Sequence, residues 1–221
     1  MRLLINALIK FIFGILIVGA LLFLPAGTFN YNGGIRFLIL LFVPILILGI
    51  VLFVKSPDLL KRRLDSKEDD KTQKSVVAVS GIIFLIGFIT AGLDFRFSLT
   101  VVSKPIVMIA SILFLISYGL YCEVMRENVY LSRTISVAEN QKVVDKGLYG
   151  IVRHPMYLAT IIMFLMMPLI LGSWISFIVF LSYPIVIAIR IKNEEKLLSE
   201  QLSGYIEYKN KVKYRILPFV W

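Results

Sequence analysis

The chain has 221 residues and a mass of 25.2 kDa; 58% of it is hydrophobic and 17% charged, and its mean hydropathy of +0.86 excludes an ordinary soluble domain and makes lipid its main solvent. A net charge of +10 would suggest nucleic acid in a soluble protein, but here the basic residues sit mostly in loops between apolar runs, where membrane orientation and anionic headgroups account for them. One cysteine (Cys122) and one histidine (His154) exclude an intramolecular disulfide and cannot close a zinc shell without carboxylates, so no metal site is expected.

The first apolar run, Leu3 to Leu24, is too long for a signal-peptide core and carries Lys10, so it reads as a retained span. Pro25 to Gly34 is an uncharged turn rich in Gly and Asn, and Ile35 to Val54 is a second span. Residues 55–74 hold seven Lys/Arg against five Asp/Glu and read as a solvated loop that fixes topology. A third span runs from Val76 to Leu93, closed by Asp94-Phe95-Arg96. A fourth starts at Lys104-Pro105, where proline suits a first helical turn, and reaches about Glu123. Val129 to Lys146 reads as an interfacial loop in which Glu139, Asn140 and Gln141 lead into a polar motif. Two short apolar runs follow, Met156 to Leu171 and Trp174 to Ile189, joined only by Gly172-Ser173 as a tight helical hairpin. From Arg190 to Tyr214 the pattern is amphipathic and helical, then basic through Lys209, Lys211, Lys213 and Arg215, as expected of a tail at the headgroups.

These runs give an all-α, polytopic membrane protein of about six spans, with a C-terminal hairpin and an amphipathic tail. Seven Lys/Arg in residues 55–74, five from Arg126 to Arg153 and seven from Arg190 onward face only Arg36, Arg96 and Lys104 in the opposite loops. The positive-inside rule then places both termini and the polar clusters in the cytoplasm.

The motif Gly147-Leu148-Tyr149-Gly150-Ile151-Val152-Arg153-His154-Pro155-Met156-Tyr157 stands where the chain re-enters the bilayer, and Arg190, Glu194 and Glu195 stand at the far end of the hairpin. A hairpin returns both clusters to one membrane face. Pro155 keeps His154 out of the helix, and Arg190 and Glu194, four apart, share a helix face and can pair. Taken singly, Arg153 suits an interfacial anchor, His154 a helix end, and the Arg/Glu cluster a solvated ladder of ion pairs. Together with Tyr149, Tyr157, Tyr205 and Tyr208 they outline a polar ligand pocket open to lipid and cytosol.

The run GLYGIVRHPMY, then LGSW (Leu171 to Trp174), RIKNEE (Arg190 to Glu195) and GYIEYKNKVKYRILP (Gly204 to Pro218) resembles the isoprenylcysteine carboxyl methyltransferase family, whose relatives include the phospholipid N-methyltransferases. The likeness covers Gln141 to Pro218. It implies an S-adenosyl-L-methionine-dependent membrane methyltransferase whose lipophilic acceptor is a prenylcysteine-like carboxylate or a lipid headgroup. It divides the single structural domain into N-terminal transmembrane helices (1–128) and a cofactor-binding region (129–221). Carried over, it makes Arg153, His154 and Glu195 catalytic. Gln141 (a histidine in many relatives), Tyr149, Arg153, His154, Pro155, Tyr157, Arg190, Glu194, Glu195 and Tyr205 become cofactor-binding. Glu195→Gln and Arg190→Ala are then expected to weaken cofactor binding without unfolding the bundle. An NADPH-dependent, sterol-reductase-like enzyme and a non-enzymatic lipid-binding protein are the competing expectations.

Overall fold

A computed structural model describes residues 2–64, 71–131, 137 and 141–221. The acidic half of the charged loop (65–70), Glu139 and Asn140 lie outside the described residues. All regular structure among the described residues is helical. The long helices are α1 (Arg2–Ala26), α2 (Asn32–Lys55), α4 (Lys71–Phe97), α5 (Lys104–Glu127), α6 (Pro155–Leu171) and α8 (Tyr183–Gln201). Short ones are α3 (Pro57–Leu64), α7 (Trp174–Phe180), α9 (Tyr205–Lys211) and a 3₁₀ turn at Gly147–Gly150. Five stretches are long and apolar enough to cross a membrane: Leu3–Ala26, Asn32–Lys55, Gln73–Phe97, Lys104–Glu127 and Trp174–Gln201; α6, with 17 residues, is the short arm of the hairpin. The protein is a polytopic helical bundle of the expected kind.

Two elements depart from expectation. The start of the charged loop is not solvated coil but α3, which begins at Pro57 with Asp58 in its first turn and buries Leu59 and Leu60. The second arm of the hairpin breaks at Leu181-Ser182 into α7 and α8. Pro184 has no N–H for the Phe180 carbonyl and its ring crowds that turn, so one straight helix cannot continue. Between the arms Gly172 adopts φ +88°, which caps α6, and the Ser173 hydroxyl caps α7 by accepting from the Ser176 N–H at 3.0 Å.

The core runs through the middle of the bundle, where Leu22, Phe37, Phe88, Phe114, Ile170 and Phe180 are buried together. Helices approach closely where side chains are small, as lipid-embedded bundles require. The Ser176 hydroxyl donates to the Gly87 carbonyl at 2.8 Å, and a Cβ on Gly87 would stand 2.3 Å from Cε2 of Phe180. Gly87→Ala should therefore cost about 1–3 kcal/mol through overpacking of α4 on α7, whereas Gly81→Ala, on the same helix with open space around it, should be neutral or slightly stabilising. Thermal unfolding in detergent reads the difference. Equal melting temperatures would show that Phe180 yields.

At one end of the bundle Asp94 is buried and accepts from the Thr100 N–H at 2.7 Å and from the Ser173 hydroxyl, while the Tyr31 hydroxyl donates to Leu171 O at 2.7 Å. These bonds fix the hairpin tip to the loops after α1 and α4. The hairpin is thereby held so that its open end faces away, toward the polar motif.

Candidate active site

The approach to α6 is shaped by backbone demands. Gly147 has φ +59°, and a Cβ there would fall 1.8 Å from a carboxylate oxygen of Glu127. That carboxylate accepts the Leu148 N–H at 2.9 Å and so caps the 3₁₀ turn from α5. His154, kept out of the helix by Pro155, is the N-cap of α6. The Arg153 and His154 N–H groups are taken by the carbonyls of Tyr214 (2.9 Å) and Arg215 (2.8 Å). The backbone of the basic tail therefore docks against the motif.

Glu195 is the hub of this docking. It is 3% exposed and joins the motif to the tail: Arg153 Nε donates to Oε1 at 2.8 Å, His154 Nε2 lies 3.3 Å from the same oxygen, and Arg215 Nε donates to Oε2 at 3.0 Å. Lys209 Nζ stands 3.9 Å from Oε2. Arg153, 5% exposed, spends Nη1 on the carbonyls of Val212 (2.6 Å) and Lys213 (2.8 Å). An interfacial anchor would snorkel to headgroups; this arginine does not. A carboxylate buried among cations, with both oxygens hydrogen-bonded, is the condition under which a buried charge is tolerated.

A second polar set lies beside it. The Tyr157 hydroxyl accepts from Arg190 Nε at 2.9 Å and donates to Glu194 Oε2 at 2.5 Å. Arg190 and Glu194 thus meet through a phenol from α6. A cavity opens on this set, lined by Tyr149, Arg153, His154, Met156 and Tyr157 from the motif and by Arg190, Glu194, Leu198 and Leu202 from α8. Gln141 to Val144, Asn128 to Leu131 (with Asn128, Tyr130 and Leu131 contributing), Tyr205 and Tyr208 complete it. Its enclosed volume is about 100 Å³, below the ~300 Å³ at which small-molecule pockets begin, so a nucleoside needs lining side chains to move outward.

The tyrosines are fixed differently. Tyr149 accepts from Asn128 Nδ2 at 3.1 Å, and Tyr208 donates its hydroxyl to Tyr149 O at 2.8 Å. Tyr205 is 4% exposed, and its hydroxyl has no hydrogen-bond partner among the described residues. Burial pushes the Tyr205 phenol well above its ordinary range, and the charges of Glu195 and Glu194 push it further. It stays a hydrogen-bond donor at any physiological pH. Burial also raises Tyr149, against the Asn128 bond and, more weakly, the charge of Arg63.

Of the residues singled out from sequence, Gln141, Tyr149, Arg153, His154, Tyr157, Arg190, Glu194 and Tyr205 line one cavity. Pro155 and Glu195 stand behind its wall: Pro155 is buried at the first position of α6, and Glu195 turns to Arg153, His154 and Arg215. Asn128, Met156, Leu198 and Leu202 are lining residues that carry no sequence signal of their own.

Residues 105–203 match the model of the phospholipid methyltransferase family. The match is to the phospholipid relatives of the isoprenylcysteine family that the motifs resemble, not to that family itself. The match supports a membrane methyltransferase. It begins with α5 and ends between α8 and α9, so it includes the 3₁₀ turn, the Arg153–His154 motif, Tyr157 and the Arg190–Glu195 cluster. Tyr205, Tyr208 and Arg215 lie beyond the matched segment, yet two of them line the same cavity and the third binds Glu195.

Proposed function

We propose that the protein transfers a methyl group from S-adenosyl-L-methionine to a lipophilic acceptor that reaches the cavity from the bilayer. The Lys/Arg bias puts that cavity, with both termini, on the cytosolic face. The observation that carries the proposal is Tyr205, whose buried hydroxyl has no hydrogen-bond partner among the described residues, in the wall of a cavity that also presents a carboxylate, two guanidinium groups and an imidazole.

The cofactor, when bound, supplies an electrophilic methyl on a sulfonium whose positive charge is lost in the transfer. Glu194 is the one carboxylate among the described lining residues and suits an ammonium or ribose hydroxyls. Arg190, steadied by Tyr157, suits a carboxylate. Tyr205 donates a further bond, and Leu198, Leu202 and Val143 offer apolar surface for a base. Arg153 and Glu195 act as positioning residues, because their charges are spent on each other and on the tail. His154 and Tyr157 present the motif's side of the cavity to the acceptor. A carboxylate acceptor needs only alignment and desolvation; an amine must also lose a proton, for which His154 is the imidazole at hand.

Calorimetric titration with S-adenosylhomocysteine, with NADPH as control, tests the reading. Saturable binding of the nucleoside is expected. Tyr205→Phe should weaken it about tenfold, the value of one hydrogen bond, while leaving the melting temperature unchanged or raised, since no internal bond is lost. Binding of NADPH alone would make the protein a reductase. Silence with both, from folded protein, would leave a lipid-binding role.

A further inference from the structure

A second cavity, of about 700 Å³, lies at the other end of the bundle, between the first turns of α2 and α5 and the loop that follows α4. The hairpin tip, Leu171 and Gly172, closes one side of it, whereas the open end of the same hairpin lines the polar cavity. Lys104, Val107, Met108 and Ser111 share one face of α5 and line it over two turns. Further along, the Tyr118 hydroxyl donates to Leu41 O at 2.9 Å and joins α5 to α2. Val101 and Met108 are exposed beside the cavity, so its walls are apolar and open toward the surface that lipid chains cover.

The charge of this cavity is one-sided. Arg36 and Lys104 line it against a single carboxylate, Asp94. That carboxylate is 1% exposed and already accepts from the Thr100 N–H, the Thr100 hydroxyl and the Ser173 hydroxyl. Arg36 spends one N–H on Ile170 O at 2.8 Å, at the carbonyl end of α6, which leaves its other donors for a ligand. Lys104 has no hydrogen-bond or ion-pair partner among the described residues. The starts of two long helices, α2 and α5, add their positive ends. Of the three Lys/Arg in the loops of this face, two thus converge on the cavity; Arg96 stands apart, over the Phe97 ring.

Two cations and one carboxylate leave the lining with a net charge of +1. An apolar cleft with one surplus positive charge at its membrane-surface end is complementary to an amphiphile whose head carries a single negative charge. A zwitterionic head would also bring an ammonium, and both Asp94 oxygens are already taken. We propose that the cavity binds a glycerolipid whose head carries only the negative charge of its phosphodiester, with the phosphate between Arg36 and Lys104 and a chain along α5 beside Met108 and Ser111. The lipid is a structural ligand and not a methyl acceptor, because the length of the hairpin separates it from the polar cavity. It ties the start of α5 to Arg36 and, through Ile170, to the end of α6, and so steadies the hairpin that carries both polar clusters. The assignment is independent of the methyltransferase reading.

Native mass spectrometry of the full chain in detergent tests it, with phosphatidylglycerol and phosphatidylcholine of identical chains as probes. Wild type should hold its first phosphatidylglycerol about tenfold more tightly than phosphatidylcholine, the value of one charge-assisted hydrogen bond. Lys104→Gln should erase most of that preference; it removes no internal bond and should melt like wild type in the absence of lipid. Arg96→Gln, on the same face but outside the cavity, should keep the preference. Ser111→Phe, which fills the cleft, should weaken both lipids. Phosphatidylglycerol should also raise the melting temperature of wild type and leave that of Lys104→Gln unmoved. A preference retained in Lys104→Gln overturns the proposal, because it would then belong to the basic loops at the other end of the bundle. Equal binding of the two lipids by wild type overturns it as well. So does a thermal shift from inorganic phosphate as large as that from the lipid, which would make this a site for a free anion.

Discussion

Glu195→Ala should be the most damaging substitution at the hub, lowering stability by about 3–5 kcal/mol, the cost of removing one partner from a buried charge cluster. The residue is 3% exposed and accepts from Arg153 at 2.8 Å and Arg215 at 3.0 Å. Its loss leaves the buried Arg153 with only backbone carbonyls of Val212 and Lys213. Glu195→Gln should recover part of the loss, because the amide oxygen can still accept from one arginine. Its NH₂ must then face the other donor, so one bond is replaced by a repulsive contact. The sequence-based expectation for this variant, weaker cofactor binding in an intact bundle, changes accordingly: binding should fall because the tail and α9, which carries Tyr205, come loose. Thermal unfolding in detergent and limited proteolysis after Lys211 measure the two parts. A wild-type melting temperature with a protected tail would mean that the backbone bonds to Tyr214 and Arg215 hold the tail without the charges.

The spans and the hairpin were legible because they depend on properties a sequence displays directly: runs of apolar residues, Pro155 at a helix start, Gly172 at a helix end. The convergence of the two polar clusters followed from parity, since a hairpin returns the chain to the face it left. What was not legible depended on groups without a residue signature. The tail reads as a headgroup-seeking basic segment, yet beside the Arg215 side chain on Glu195 it is held by the carbonyls of Val212, Lys213, Tyr214 and Arg215, groups that every residue possesses. Arg190 and Glu194 read as an i,i+4 pair, yet a hydroxyl from α6 stands between them, and no spacing along α8 could reveal it. The break before α8 did have a signal, Pro184, and an apolar run of acceptable length concealed it. The packing of α3 was hidden in the same way: Leu59-Leu60 is a short apolar pair inside a strongly charged stretch.

Tyr157→Phe should leave the bundle intact and lower kcat/KM about 10²-fold. The magnitude is that of a catalytic or binding group displaced by roughly an ångström. The ring remains, so its packing in the cluster with Tyr183, Ile187 and Ile191 persists and no cavity forms. Only the hydroxyl disappears, and with it both the acceptor for Arg190 and the donor to Glu194. Those two side chains, four apart on α8, can then close directly on each other. Closing draws Glu194 off the position in which the cavity presents it. If Glu194 and Arg190 hold the two ends of the methyl donor's amino-acid group, affinity for S-adenosylhomocysteine falls together with turnover. If instead Tyr157 aligns the acceptor, kcat falls while nucleoside affinity stays at the wild-type value. Either split gives Tyr157 a role beyond packing. Unchanged turnover and affinity in Tyr157→Phe would show that direct pairing of Arg190 and Glu194 serves as well, and the phenol would then be a bystander between two residues that position themselves.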